Sequence, residues 1–218
     1  MTSKTPFPTT PSVYQRTLDG QRYTLSIPQG FRPEQPYPLI LALHYAGHGE
    51  PYYGKAMVTE LVEPALRSLD AVIVSPDCPG ENWTEHESEA AVFDLLDAVE
   101  AAYTIDPERR LVTGYSMGGI GTWFYAARQA HRFSAAVILS GRPPDNAATI
   151  PWKLPLYVIH SRDDELISFE QTEQAVRALK AEGVEIEFQP LEGITHFETY
   201  RFVKPLREAV PWIKDVWG

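Results

Sequence analysis

Val112-Thr113-Gly114-Tyr115-Ser116-Met117-Gly118-Gly119 decides the fold of this 218-residue chain. Arg110–Thr113 reads as a strand and Met117–Ala130 as a helix, which puts Ser116 on the turn between them. The spacing Gly-x-Ser-x-Gly in that setting is a nucleophile elbow. The turn is so tight that its flanks must be small, and Gly114, Gly118 and Gly119 supply the room. Such a bend lifts the serine hydroxyl above the sheet edge. It also aims the hydroxyl at a helix N-terminus, where unpaired N–H groups favour developing negative charge. Glycine and serine also make ordinary strand-to-helix turns, and the five-residue pattern alone is common. The strand before it and the helix after it favour the nucleophile.

Outward from the elbow, strand-like and helix-like runs alternate. Leu39–Leu43 is a continuous apolar run ending at His44, as in a strand buried on both faces. Lys55–Leu69 is helix-like but contains Pro64, which should kink or interrupt it. Ala71–Val74 is a strand, and Val92, Leu96, Val99 and Tyr103 recur at helical spacing within Glu87–Tyr103. Asp106-Pro107 closes that unit. After the elbow come strands at Ala135–Leu139, Pro155–Ile159 and Val184–Gln189. A helix over Phe169–Ala181 lies among them, and a closing helix within Thr199–Val216 is limited by Pro205 and Pro211. At the front, Val13–Arg16 and Arg22–Ile27 flank Leu18-Asp19-Gly20, a turn signal that predicts an antiparallel pair. The pattern predicts an α/β fold of one domain, with a mostly parallel sheet, helices on both faces and antiparallel N-terminal strands. The catalytic domain is expected over 13–218, after a flexible arm at 1–12. Open sheets of this kind bind ligands at the carboxyl ends of their strands.

A serine hydroxyl needs a base within hydrogen-bond reach, and that base needs an acid to orient it. The chain order in elbow proteins is Ser, then Asp or Glu, then His. His131, His160 and His196 are the histidines after Ser116. His196 follows the last predicted strand, where the base is required. His160 ends a strand and is expected to shape the loop holding the acid, while His131 lies in a polar helix end. The acid is sought in His160-Ser161-Arg162-Asp163-Asp164-Glu165. Asp164 is the choice, Asp163 the alternative, and Asp145 an outside candidate after a different strand.

Two backbone N–H donors must meet the oxyanion of a tetrahedral intermediate. Met117, next to the nucleophile, should give one. The loop His44-Tyr45-Ala46-Gly47 should give the other, from Ala46 or alternatively Tyr45. Gly47 and Gly49 also fit an ordinary loop. Among loop aromatics, Tyr45, Trp83 and Trp152 are candidates for the substrate pocket, with Trp83 preferred because it follows a strand end; Tyr52 and Tyr53 lie nearby. Only about 15 residues, 141–155, separate two strands, too few for several helical elements, so no large lid domain is expected there and the site should be open.

The bulk numbers narrow the field. A formal charge of −10 without a basic cluster argues against nucleic acid, which is bound through Lys and Arg on phosphates. One cysteine, Cys78, excludes an internal disulfide and a thiolate metal cluster, and reads as a small apolar residue after a strand. No metal or organic cofactor is implied. No membrane span is expected, since no apolar run reaches the required length, and residues 1–11 lack the apolar core of a secretory signal. As given, the chain reads as cytoplasmic.

From about Val13 onward the chain resembles the α/β-hydrolase superfamily. Within it, Val112–Gly119 and Phe133-Ser134-Ala135-Ala136-Val137 through Ser140-Gly141 look most like the small phospholipase/carboxylesterase and dienelactone-hydrolase-like esterases. They are also similar to feruloyl esterase and polyester depolymerase domains. In that group the acid loop resembles His-Gly-x-x-Asp-x-x-Val-Pro. Aligning His160 with its histidine implies Asp164 as the acid. Ser161 and Ser168 depart from this pattern, which keeps Asp163 in play, and Tyr45 replaces a glycine of the oxyanion loop. Dienelactone hydrolases proper use a cysteine nucleophile, so Ser116 argues against that activity. The resemblance implies a serine hydrolase of small-molecule carboxylic esters, short-chain or bulky and soluble. A thioesterase or serine peptidase would use the same triad. A binding module of this fold would be expected to lack a triad member.

Overall fold

A computed structural model describes residues 7–47 and 50–218. Eight strands form one sheet in the order β1-β2-β4-β3-β5-β6-β7-β8. β1 (Ser12–Leu18) and β2 (Gln21–Ile27) are the predicted antiparallel pair, turning at Asp19-Gly20, and β2 runs antiparallel to β4 (Val72–Pro76). The rest are parallel: β4, β3 (Tyr37–Leu43), β5 (Ile105–Tyr115), β6 (Ala135–Leu139), β7 (Leu156–Ser161) and β8 (Ile186–Leu191).

β3, β4 and β6 are buried along their whole length because both sides of the central sheet meet helices. Leu39, Leu41 and Leu43 of β3 enter one core with Val92, Leu96 and Val99 of the helix His86–Ala102. Trp123 and Tyr125 of the elbow helix (Met117–Arg128) and Val176 and Leu179 of the helix Phe169–Ala181 join that core. Ile40 and Ala42 face the opposite core, where they meet Met57, Leu61 and Leu66 and, from the C-terminal helices, Leu206 and Ile213.

Residues 54–69 are helical as expected, and the interruption expected at Pro64 takes the form of a π-helical stretch at Met57–Val62 between the α-helical turns Gly54–Ala56 and Glu63–Leu66. Pro64 has no N–H, and its ring collides with the carbonyl four residues back in a regular helix, so the wider turn ahead of it relieves both problems. β5 begins earlier than expected, at Ile105. Its pairing with β3 then slips between Tyr37↔Ile105 and Leu39↔Arg110, around Pro107. In the described part of the arm, Phe7 packs edge-on against Tyr103 at 5.7 Å, and Tyr103 Oη donates to Pro8 O at 2.7 Å.

Between β6 and β7, residues 140–155 hold a single 3-10 turn, Ala147–Thr149. No helix among the described residues is long and apolar enough to cross a membrane. The parallel strands all end at one edge, which carries His44, Asp77, Ser116, Ser140, Asp164 and His196 on the following loops.

Candidate active site

Ser116 sits at the end of β5 with φ 56° and ψ −115°, a conformation a side chain rarely adopts. Close packing enforces the bend. A β-carbon on Gly114 would run into the Gly118 carbonyl, and one on Gly118 into the Leu43 carbonyl. Ser116 N–H is bonded to Leu139 O at 3.0 Å, so β6 fixes the turn from the side. Such strain is held only where surrounding structure over-determines it.

Side chains from three strand ends converge here. His196 Nε2 lies 2.8 Å from Ser116 Oγ, and His196 Nδ1 lies 2.8 and 2.9 Å from the two oxygens of Asp164. The Asp164 carboxylate is out of contact with solvent. Burial alone would push its pKa up, but hydrogen bonds from His160, His196 and the Ile167 amide outweigh that and hold it well below the usual carboxylate range. A carboxylate that stays ionised keeps Nδ1 of His196 protonated and leaves Nε2 free to accept a proton from the serine.

His160 has the supporting place expected of it. It is fully buried, with Nε2 3.3 Å from Asp164 Oδ2 and 3.1 Å from Ile167 O, and Nδ1 3.0 Å from Thr172 Oγ1. Asp163 turns away from the imidazole and accepts the Gly193 N–H at 2.6 Å, closing the acid loop onto the histidine loop. Asp145 pairs with Arg142 at 3.7 Å on the surface, and His131 is exposed.

On the other flank, Ala46 and Met117 line one cavity of about 670 Å³ together with His44, Tyr53, Asp77 and Cys78. His44 is buried, and burial lowers its pKa more than the neighbouring Tyr45 carbonyl and Asp77 raise it. Its ring is therefore neutral, with Nδ1–H donated to Tyr45 O at 2.7 Å and Nε2 accepting the Cys78 N–H at 3.0 Å. In a trans peptide the N–H points opposite to the C=O. Holding the Tyr45 carbonyl on the His44 ring thus turns the Ala46 N–H away from it. Gly49 lies outside the described residues.

The aromatic candidates need correction. Trp83 does not line the cavity: it is fully buried, its Nε1–H donated to His44 O at 2.9 Å and its ring packed at 4.9 Å from that of His44. The chain after β4 folds back under the loop that begins at His44, and Gly121 of the elbow helix leaves space for the indole. Trp152 packs edge-on against Trp123 at 5.4 Å, with Nε1–H on Ala147 O, and does not line the cavity beside Met117. Tyr45 is wedged edge-on between Tyr53 and Tyr115. Tyr53 is the tyrosine that reaches the cavity. Cys78 is half-buried on the cavity wall, and burial raises its thiol pKa.

Sequence reasoning also missed Asp77, which is buried and accepts from Arg22 Nε at 2.9 Å and Tyr52 N at 2.8 Å, pinning the cavity rim. Its place directly after β4 was the available signal. Tyr115 and Glu165, whose side chains bond the main chain of His196, gave no such signal.

Known proteins bear on this arrangement. The chain is 31% identical over 138 residues to a protein named probable feruloyl esterase C from Aspergillus terreus, covering 58% of this chain and 48% of that one. It is 29% identical over 136 residues to feruloyl esterase C from Emericella nidulans, covering 57% and 47%. The chain thus spans about half the length of these relatives. Among solved structures, a thermostable esterase superposes with a TM-score of 0.77 at 23% identity, over 94% of this chain and 62% of that one. A ferulic acid esterase does so with a TM-score of 0.74 at 19% identity, over 94% and 98%. At those identities the superpositions speak for the fold, that of α/β-hydrolases. Residues 67–204, more than half of the chain and including Ser116, Asp164 and His196, match the model of the dienelactone hydrolase family, to which this chain belongs.

Proposed function

We propose that the chain hydrolyses carboxylic esters through a Ser116–His196–Asp164 triad and an acyl-enzyme. The observation that carries this reading is the unbroken line of hydrogen bonds from Ser116 Oγ through the His196 ring to Asp164. As Ser116 Oγ attacks the ester carbonyl, His196 Nε2 takes its proton, and Asp164 stabilises the imidazolium that forms. The oxyanion is received by the Met117 N–H, at the positive end of the elbow helix, and by the Ala46 N–H. His196 then protonates the departing alcohol. A water activated by the same histidine releases the acid and restores the serine.

The relatives named feruloyl esterases make aromatic acyl esters the first substrates to try. The short 140–155 connection is consistent with a bulky group, because it holds one 3-10 turn and no helical lid. The test is hydrolysis of methyl ferulate beside para-nitrophenyl acetate, butyrate and a long-chain ester, and beside a thioester and a peptide amide. Esters are expected to be cleaved in preference to thioester and amide. Ser116→Ala is expected to lower turnover by about 10⁴–10⁶-fold. No turnover of any ester by the parent protein, or equal turnover by Ser116→Ala, overturns the reading.

A further inference from the structure

Both main-chain polar groups of His196 are held by side chains, and each side chain belongs to the neighbour of another triad residue. Tyr115, directly before Ser116, donates its hydroxyl to His196 O at 2.8 Å. Glu165, directly after Asp164, accepts the His196 N–H on Oε2 at 2.8 Å. The imidazole's own bonds to Ser116 and Asp164 lie between these two tethers.

We infer that Tyr115 and Glu165 are positioning residues that clamp the backbone of the base, tying its placement to the loops that carry the nucleophile and the acid. This rests on the triad reading above. His196 lies beyond the end of β8, in a loop with no sheet ladder to locate it. Tyr115 is buried, its ring packed edge-on against Phe202 at 4.9 Å and 5.5 Å from the His196 ring. A phenol hydroxyl taken that far from water is costly unless it is bonded, and the His196 carbonyl meets that need. Burial also keeps the hydroxyl protonated and so a donor. Glu165 works differently: it is exposed and reaches inward across the acid loop to a main-chain N–H. Phenylalanine at position 115 would fill the same space without the tether.

The consequence is kinetic. Proton transfer between Ser116 and His196 depends on their alignment, whereas the oxyanion donors and the cavity do not use either tether. Loss of a tether should therefore act on kcat and leave KM nearly alone. Tyr115→Phe is expected to lower kcat about tenfold, with KM within about twofold of the parent, since misplacement of a reacting group is felt in the chemical step, and to lower Tm, since the buried His196 carbonyl loses its donor. Glu165→Ala should behave similarly. Glu165→Gln, whose amide oxygen can accept the same N–H, should recover most of that loss. The double variant Tyr115→Phe/Glu165→Ala should lose more than either single one.

These measurements use the ester that the parent cleaves best. A Tyr115→Phe protein with the parent kcat overturns the inference, as does a change confined to KM. Glu165→Gln as impaired as Glu165→Ala would also overturn it, by tracing the effect to charge rather than to the tether. If Glu165→Ala does not fold, Tyr115→Phe, which removes one buried oxygen, decides alone. Ser116→Ala separates the two levels of argument. Inactive Ser116→Ala with parent-like Tyr115→Phe removes only the clamp, while active Ser116→Ala removes the triad reading itself.

Discussion

The two flanks of Ser116 are built on different principles. On the β7–β8 flank, side chains meet side chains: Asp164 contacts both His160 and His196 directly, with Asp163 and Glu165 bracing the loops between them. On the β3–β4 flank, side chains hold backbone: His44 grips the Tyr45 carbonyl, Trp83 grips the His44 carbonyl, and Asp77 grips the amide of Tyr52. In the mechanism proposed above, the first flank supplies the base and the acid, and the second supplies peptide N–H groups. Chemistry done by side chains restricts residue type, and chemistry done by peptides restricts only conformation.

The sharpest way to break this comparison is within the acid loop. Asp164→Asn should lower kcat by about 10⁴-fold, because the amide favours the wrong tautomer of the base. Asp163→Asn keeps an oxygen for the Gly193 N–H and should cost less than about tenfold, the scale of weakening one hydrogen bond. Steady-state kinetics of the two variants decides it. If Asp163→Asn is the crippled protein and Asp164→Asn the mild one, the acid has been misassigned and the flank is not organised as described.

The same contrast governs what could be read in advance. The Gly-x-Ser-x-Gly spacing, the apolar run Leu39–Leu43 and the position of His196 after the last strand follow from sterics and periodicity, and all three sit in the structure where those arguments put them. The choice of Asp164 over Asp163 needed more, because two adjacent carboxylates differ only in which way the loop turns them. Trp83 was misread for a related reason. An aromatic residue in a loop after a strand looks like a pocket wall, yet a buried carbonyl at His44 needed a donor and the indole N–H supplies it. Nothing local to residue 83 reveals that partner, which is 39 positions away. The π-helical turns before Pro64 were half-visible: the proline announced a disruption, but not its form.

If the flank proposed to hold the oxyanion works by holding peptides, then Trp83→Phe tests it. A phenyl ring stays in place of the indole, so a small cavity opens and the His44 carbonyl loses its donor in a site closed to water, together costing at least about 1–3 kcal/mol in stability. Displacement of the loop should lower kcat by roughly tenfold to a hundredfold. Ester kinetics and a urea melt on the same preparation read both effects. Unchanged kcat with lowered stability would make Trp83 a packing residue and leave the oxyanion loop held by His44 alone. A raised KM with constant kcat would return Trp83 to the substrate pocket.

The smallest expected effect concerns the folding balance of the side-chain flank. The Asp164 carboxyl is held below the usual range despite its burial, because His160, His196 and the Ile167 amide favour its charged form. A group shifted down on folding stabilises the native state at pH values above its unfolded pKa, about 3.9 for aspartate, and that contribution drains away as pH falls toward the folded value. Below pH 5 unfolded histidines are already protonated, so the aspartate term stands clear of theirs. The stability difference between the parent and Asp164→Asn, measured by urea unfolding, should accordingly narrow by about 1 kcal/mol between pH 5 and pH 3. Asparagine cannot titrate, so it supplies the baseline. A gap that stays constant or widens over that interval would mean that the partners around Asp164 orient the carboxylate without favouring its ionised form. The β7–β8 flank would then be a device of geometry alone, as the β3–β4 flank is.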